Sequence, residues 1–592
     1  MKYHKNRLSQ PKSSNKLTFL FVGVVFVQVV FILRLFQLQV LQHAKYTALA
    51  NDQHWELQDI PAVRGTILSR NGYPLASNQP SYLMYGNPKL IEDPLYTADE
   101  LAKVVAKLKS KSDSEFLELH THYKNKYYDY LQSEHFWVAL ERNLSIIEKT
   151  KIEEENLAGI GFEKGASRHY PEGTLAAHVL GFVASDEFGE RQGYYGIEGR
   201  FNGELKGKPG RIIEERDATG TPILVGDFKK VDPIKGRDVV LTIDRAVQYV
   251  VEKRLKEGVE KYGALAGSVI VMNPLNGDVL AMANYPTYDP LNFNDFLDTE
   301  ESDGYTIERK NLSVSETYEP GSVIKALTVS AGIDSGKITP YSTFEDLGPV
   351  TYSGYTIDNW DLKHHGTQNM FDLLKKSNNI GSAWVGHVLG ADLLSKYFDS
   401  FGLGTKTGIE LEGEDTGIIR DSGEWTDIDL ATAAFGQGIS ATPLQVLNAF
   451  NALANSGRLM QPRIVLQVVE EDETIDIASK ELGYPISEET AETMVSMLTE
   501  AVADGESKYF NLEDYKIAGK TGTAQIPVDG KYDPSKTNVT FVGFLPTSRR
   551  FSMLVHLNQP SSSIYAAETA VPLWMQITDD LVKYYGVPPD DI

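Results

Sequence analysis

The sequence predicts a multidomain α+β protein: an N-terminal transmembrane helix, an elongated α+β pedestal, and a C-terminal domain built on a five-stranded antiparallel sheet flanked by helices. Three observations predict it. An apolar run from Leu17 to Val40 follows a basic tail, a polar and mixed stretch reaches Lys235, and strand-turn-strand patterning begins beyond Gly236 and returns near the C-terminus.

Residues 1–16 carry Lys2, Lys5, Arg7, Lys12 and Lys16 with no acidic residue. Basic residues ahead of an apolar run put this tail in the cytoplasm. About 20 apolar residues span a bilayer, and residues 17–40 reach that length with Arg34 snorkelling to the interface. No small-residue cleavage site follows, so the segment reads as an uncleaved anchor, single-pass, with the rest of the chain extracytoplasmic.

Residues 41–235 form the pedestal, with a turn at Ser69-Arg70-Asn71-Gly72, a charged and helix-prone stretch from Asp93 to Lys164, and glycine punctuation from Gly193 to Gly210. Metal-ligand spacing and phosphate-cradling glycine loops are missing from its sequence, which favours a stalk or interaction module. Residues 236–592 form the last domain. Ser268–Met272 is a β-branched strand, Pro274-Leu275-Asn276-Gly277 a hairpin turn, and Asp278–Ala283 its return. Lys516–Lys520, Val539–Leu545 and Phe551–Leu557 supply three more strands, and a helix over Ala566–Tyr585 offers Leu573, Trp574, Ile577 and Leu581 to one sheet face. The segment from Pro320 to Ala454 is expected to form an all-helical region against the sheet.

With 592 residues the chain is long enough for several domains. It contains no cysteine, which excludes disulfides, thiol nucleophiles and cysteine-ligated zinc. A formal charge of −24 argues against a nucleic-acid surface, because phosphate neutralisation needs clustered lysine and arginine.

Three short motifs carry chemistry. An S-x-x-K pattern is expected about twice by chance in a chain of this length, and it occurs at Ser9/Lys12, Ser13/Lys16 and Ser322/Lys325. The first two lie in the basic tail. Pro320-Gly321 precedes an apolar helical stretch, so Ser322 falls at a helix start with Lys325 on the same face, within reach of its hydroxyl. A serine hydroxyl needs a base, and a neutral lysine amine serves as one when burial and a second cation, here Lys520, lower its pKa. The helix N-terminus also offers positive potential to a developing oxyanion. Ser377 and Asn379 form S-x-N in a capping sequence, where a hydroxyl can relay a proton and an amide can hold a substrate carbonyl. Lys520-Thr521-Gly522-Thr523 ends a strand, with charge and hydroxyls suited to a terminal carboxylate and Gly522 allowing close backbone approach. A second K-T-G, Lys406-Thr407-Gly408, lacks the following threonine and reads as a loop.

Together the ordered motifs resemble the penicillin-binding protein and serine β-lactamase superfamily. Tyr318-Glu319-Pro320-Gly321-Ser322, Gly436-Gln437-Gly438, Ala518-Gly519-Lys520-Thr521-Gly522-Thr523-Ala524 and Phe541-Val542-Gly543-Phe544 are similar to the transpeptidase domain of class B penicillin-binding proteins. Arg64-Gly65-Thr66-Ile67, Arg168 with Tyr170-Pro171, and Gly196-Ile197-Glu198 resemble stretches of the class B pedestal, the dimerisation-type domain. Ser69 departs from the family pattern, which has an acid there, and this is expected to weaken a pedestal contact.

The resemblance implies the penicillin-binding transpeptidase fold and a D,D-transpeptidase that cross-links peptidoglycan stem peptides at their D-Ala-D-Ala ends without a cofactor or metal. It implies Ser322 as acylated nucleophile, Lys325 as base, Ser377 with Lys520 as proton relay, and Asn379, Thr521, Gly522 and Thr523 as substrate-binding residues. The backbone N–H groups of Ser322 and Thr523 are the implied oxyanion hole. β-Lactams are implied as covalent inhibitors, and a polytopic glycan polymerase and other divisome proteins as partners. The Tyr-Glu-Pro-Gly-Ser lead-in and Ser377-Asn378-Asn379-Ile380-Gly381 look more like the septal branch than the elongation branch. A D,D-carboxypeptidase shares the site. A β-lactamase needs a further water-activating residue, and a β-lactam sensor needs further membrane segments.

Overall fold

A computed structural model of the chain describes residues 15–47, 55–186, 190–215, 228–293, 310–471, 473–528 and 530–590. Two of the S-x-x-K serines, Ser9 and Ser13, and most of the basic tail lie outside these. The chain divides into two compact units, Met1–Ala62 with Lys208–Ile234, and Val63–Gly207 with Lys235–Ile592.

In the smaller unit, helix Asn15–Phe36 runs into a π-helical turn, Gln37–Leu41. The stretch Leu17–Leu41 is 25 residues long and has a mean hydropathy of 2.6 with no buried side chains, a candidate membrane span by length and composition. The Arg34 guanidinium donates to Gln37 Oε1 at 2.8 Å, which gives the cation a polar partner at the end of the apolar run. A three-stranded antiparallel sheet, Trp55–Ile60, Gly210–Glu215 and Phe228–Val231, completes this unit.

The larger unit holds the predicted five-stranded antiparallel sheet, in the order Val279–Tyr285, Ala266–Met272, Ser552–Asn558, Lys531–Phe544, Ala518–Val528. Both ends of the domain contribute, as the strand pattern requires. One face is covered by helices Arg245–Tyr262 and Ala570–Tyr585, with Leu573, Trp574, Ile577 and Leu581 at most 1 % exposed. The Trp574 indole N–H donates to Met553 O at 2.9 Å, so the bulkiest side chain of this layer is also polar-satisfied. The other face carries helices Ile324–Asp334, Pro443–Ala454 and Glu488–Asp504. Two differences from the sequence reading matter. The strand with the K-T-G-T motif starts at Ala518 and runs to Val528, so the motif opens the strand and does not end it. The region from Pro320 to Ala454 is not all-helical, because it contains two small two-stranded antiparallel sheets, Phe344–Asp346 with Gly366–Gln368 and Val350–Tyr352 with Tyr355–Ile357. Three-residue strands carry too little periodicity to be read from sequence.

A second, seven-stranded mixed sheet draws on both ends of this unit. Strand Asp238–Leu241 pairs parallel with Ile67–Leu68 and antiparallel with Val465–Glu470, and the sheet continues through Pro74–Gly86 to Val138–Leu144 and Ile160–His169. The stretch from Asp93 to Lys164 thus holds strands as well as the helices Pro94–Lys109, Asp113–Leu131 and Ile146–Glu153.

The three pedestal stretches singled out in the sequence meet at one buried ion cluster. Glu198, with no exposed surface, accepts Arg64 Nε at 2.6 Å and Arg168 Nε at 2.5 Å, while Arg168 Nη1 donates to Gly65 O at 2.7 Å. Ser69 is fully buried and its hydroxyl accepts the Tyr73 N–H at 3.1 Å, so the side chain closes its own turn.

Candidate active site

Three glycines bring the motifs together. Gly321, at φ 58°, opens a 3₁₀ turn, Gly321–Val323, that leads into helix Ile324–Asp334, and its N–H donates to Gly436 O at 3.0 Å. A Cβ on Gly436 would lie 2.1 Å from Gly321 O, and one on Gly522 would lie 2.7 Å from Pro320 O and 2.8 Å from Val323 Cγ2. Gly522 therefore serves the approach of the Ser322 turn to the strand Ala518–Val528. The sequence reading gave that closeness to a substrate backbone; the neighbouring protein atoms already occupy the space a side chain would need.

Ser322 stands partly exposed at this helix start, while Lys325 one turn on is completely buried. The Lys325 amine donates to Ser377 O at 2.6 Å and Asn379 Oδ1 at 2.7 Å and approaches Ser377 Oγ at 3.3 Å. It turns to the S-x-N segment because three acceptors converge there. Among the described residues the Ser322 hydroxyl makes no hydrogen bond, so the expected Lys325–Ser322 bond is not formed in this state. Catalytic bonds are often long before substrate arrives.

Ser377 is 3 % exposed and sits at φ 52°, a left-handed conformation uncommon for a residue with a Cβ. The kink follows helix Met370–Lys375 and precedes helix Asn379–Leu389, which Asn378 caps by accepting Gly381 N–H at 2.7 Å. The segment is thus a cap, as its composition says, and a meeting point. Lys520 Nζ donates to Ser377 Oγ at 3.1 Å from the other side and to Thr521 Oγ1 at 2.9 Å. Two buried lysines therefore share one serine hydroxyl. Burial first, and the Lys520 charge second, push Lys325 well below the ordinary lysine range, with Glu506 opposing. Burial also pushes Lys520 down, again opposed by Glu506.

Asn379 accepts from Lys325 and donates Nδ2–H to Asp358 O at 2.9 Å, which leaves one amide hydrogen without a partner among the described residues. Thr523 Oγ1 accepts the Ala566 N–H at 3.2 Å. The rival Lys406-Thr407-Gly408 lies in a loop where Thr407 N–H and Oγ1 both bind the Glu414 carboxylate and Lys406 is exposed.

Two residues at the site have no motif to announce them. Asp346, fully buried, accepts side-chain amides from Asn378 at 2.8 Å, Asn359 at 3.0 Å and Gln368 at 3.1 Å, and the His365 N–H at 3.2 Å. Asn359 in turn accepts the Asn379 N–H at 3.0 Å, so the S-x-N turn hangs on Asp346 by two routes. Glu506 accepts the Thr521 hydroxyl at 2.7 Å. Asp346 ends a three-residue strand and Glu506 lies in a turn, and only the amide-bearing residues Asn359, Gln368 and Asn378 hint in sequence at a buried acceptor.

This fold and this arrangement identify the chain as a member of the penicillin-binding protein family: the penicillin binding protein transpeptidase domain matches residues 267–578. The penicillin-binding protein dimerisation domain matches residues 59–241, and with both domains the chain is a class B member. It is 31 % identical to the stage V sporulation protein D of Bacillus subtilis, over 98 % of this chain and 88 % of the relative. It is 26 % identical to the peptidoglycan D,D-transpeptidase FtsI of Escherichia coli, over 96 % of this chain and 92 % of the relative. Among solved structures, penicillin-binding protein 3 of Mycobacterium tuberculosis complexed with aztreonam superposes with a TM-score of 0.67 at 25 % identity, covering 90 % of this chain and 98 % of that one. Penicillin-binding protein 2X of Streptococcus thermophilus gives a TM-score of 0.71 at 24 % identity, covering 89 % and 80 %, and shares the fold.

Proposed function

We propose that the chain is a serine-type peptidoglycan D,D-transpeptidase that cross-links stem peptides through a Ser322 acyl-enzyme during septal wall synthesis. The observation that carries this reading is the convergence of two buried lysines on Ser377 beside a serine at a helix start and a hydroxyl-bearing strand. Family membership and the relative named as a peptidoglycan D,D-transpeptidase support it.

In the first step Ser322 Oγ attacks the carbonyl carbon of the penultimate D-Ala and its proton passes to Lys325, whose depressed pKa makes the neutral amine available. The carbonyl oxygen becomes an oxyanion held by the N–H groups of Ser322 and Thr523. Collapse breaks the C–N bond, and the departing D-Ala amine takes a proton relayed through Ser377, which both lysines touch. The free Asn379 amide hydrogen holds the peptide backbone, and Thr521 and Thr523 line the carboxylate side. An amine from a neighbouring strand then attacks the ester, returning the proton to Ser322 by the same relay. The segment Leu17–Leu41 anchors the chain with its N-terminus in the cytoplasm and the catalytic domain outside, where a separate polytopic glycan polymerase and other divisome proteins supply and position new strands.

A fluorescent penicillin is expected to label the wild type and Lys406→Ala but not Ser322→Ala. Labelling that survives the Ser322 change overturns the nucleophile. With a stem peptide and a defined amine, D-Ala release without cross-linked product indicates a carboxypeptidase instead. The name of the Bacillus relative favours a second reading, the same chemistry during sporulation. Depletion separates the two: filaments with blocked septa support division, and normal division with defective spores supports the second.

A further inference from the structure

Glu506 belongs to none of the motifs. Helix Glu488–Asp504 ends at Gly505, where a Cβ would lie 2.2 Å from Ala501 O and 2.8 Å from Lys375 O. Only a glycine lets the chain turn this tightly, and the turn delivers the Glu506 carboxylate to the strand Ala518–Val528. There Oε2 accepts the Thr521 hydroxyl at 2.7 Å, and the same hydroxyl oxygen accepts Lys520 Nζ at 2.9 Å.

A threonine hydroxyl has one hydrogen. Thr521 spends it on Glu506, so it has none for a substrate carboxylate. Thr523 is in the opposite condition, since its oxygen accepts the Ala566 N–H at 3.2 Å and its hydrogen stays available. The charges divide in the same way. Lys325 meets only neutral groups, and the two hydrogens of a neutral amine suffice for Ser377 O and Asn379 Oδ1, with the Ser377 hydroxyl 3.3 Å from its nitrogen, whereas Lys520 is one hydroxyl away from a carboxylate. Among the described residues lining the small cavity beside Lys520, Thr521 and Glu506, the remaining charged side chain, Lys375, is already paired with Glu500 at 2.7 Å and lies 3.7 Å from Asp504. A proton shared between the two site lysines therefore resides on Lys520, consistent with the deeper fall of the Lys325 pKa, which burial and the Lys520 charge both lower.

We propose that Glu506 is a positioning residue of this site: through Thr521 it holds Lys520 as the ammonium on Ser377, and it leaves Thr523 as the hydroxyl that donates to the terminal carboxylate of the stem peptide. The assignment rests on the transpeptidase reading above and sharpens it, because the two threonines cease to be equivalent.

The test is the pH profile of acylation of the full-length protein in membranes by a fluorescent penicillin, with the binding constant and the acylation rate resolved separately. Both lysines meet the Ser377 hydroxyl, so a bell-shaped profile with two limbs is expected. Glu506→Gln removes a charge that favours both ammonium forms, so both limbs move to lower pH, by about one unit. In a Thr521→Val background the same change moves them less, because the link is already cut. Thr521→Ser keeps the hydroxyl and retains the wild-type profile. Thr523→Val weakens binding at least tenfold and leaves the limbs in place. Limbs that stay put in a folded Glu506→Gln, or a Thr521→Val that weakens binding as much as Thr523→Val, overturn the assignment alone. A wild type that is never acylated overturns the transpeptidase reading and this assignment together.

Discussion

Replacing Asp346 by alanine tests whether the S-x-N turn depends on a carboxylate that no substrate touches. The side chain accepts from Asn359, Gln368, Asn378 and the His365 N–H and lies 3.2 Å from His364 Nδ1. In the variant Asn359 keeps Lys363 O at 2.8 Å, and the exposed His365 amide regains water. The buried Gln368 and Asn378 amides lose their partner. At about 1–3 kcal/mol for each orphaned donor, less the cost of a buried charge with no lysine or arginine paired to it among the described residues, the expected loss is about 2–5 kcal/mol. Asn378 and Asn359 both fix the residues around Ser377, so acylation should fall as well, by about 10²-fold if the turn moves by an ångström. Burial works against the charged form of Asp346, but hydrogen bonds from Asn378, His364, His365 and Asn359 outweigh it and hold the carboxyl below its usual range. The stabilisation is therefore present above the unfolded carboxyl pKa and disappears as pH falls through the lower folded one, a dependence the variant should lack. Thermal melting across acid pH, read beside the rate of fluorescent-penicillin acylation, measures all three effects. An Asp346→Ala protein that melts and acylates like the wild type would refute the view that the turn hangs on this residue.

Other substitutions probe different levels of the structure. Glu198→Ala leaves Arg64 and Arg168 buried without a counter-charge and should cost about 3–5 kcal/mol, visible as a lower melting temperature or early proteolysis of the pedestal. Gly522→Ala drives a methyl against the Pro320 carbonyl, a backbone atom that cannot rotate away, and should cost about 1–3 kcal/mol and slow labelling at Ser322; unchanged labelling contradicts the tight approach. Glu252 accepts Ala176 N–H at 2.7 Å and Gln248 Nε2 at 2.8 Å, and burial pushes its carboxyl up to about 7. Its folded pKa exceeds the unfolded one, so its stabilisation is complete below the unfolded value and fades as pH rises through about 7. Glu252→Gln should flatten that decline and gain about 2–3 kcal/mol at neutral pH, measured by melting at acid and neutral pH.

The sequence was most legible where a pattern has one physical reading. Strands Ala266–Met272 and Val279–Tyr285 were visible because short, continuous apolar runs on either side of an Asn-Gly turn leave little else. The final helix was visible because Leu573, Trp574, Ile577 and Leu581 share a face. The lysine motif was legible as a motif and misjudged as a location, because the far end of its strand, Gln525 to Val528, is mostly exposed and interrupted by Pro527, so it has no apolar rhythm. Ser377 reads in sequence as a cap, and nothing in its neighbours announces a left-handed backbone. Glu506 and Asp346 were illegible for a common reason: each acts through hydrogen bonds to residues distant in the chain, and an acidic residue in a turn or a three-residue strand has no period or spacing to betray it.

The strand Asp238–Leu241 has a practical implication for anyone who wants the catalytic half by itself. It is stitched on one side to Ile67–Leu68 and on the other to Val465–Glu470. A fragment begun just ahead of it carries the whole transpeptidase match, yet it leaves that strand with a bare row of N–H and C=O groups, an adhesive margin that invites self-association. Scissors placed at Val63 spare the seam; scissors placed at Gly236 cut through it. The two family domains are separate in name and continuous in fabric.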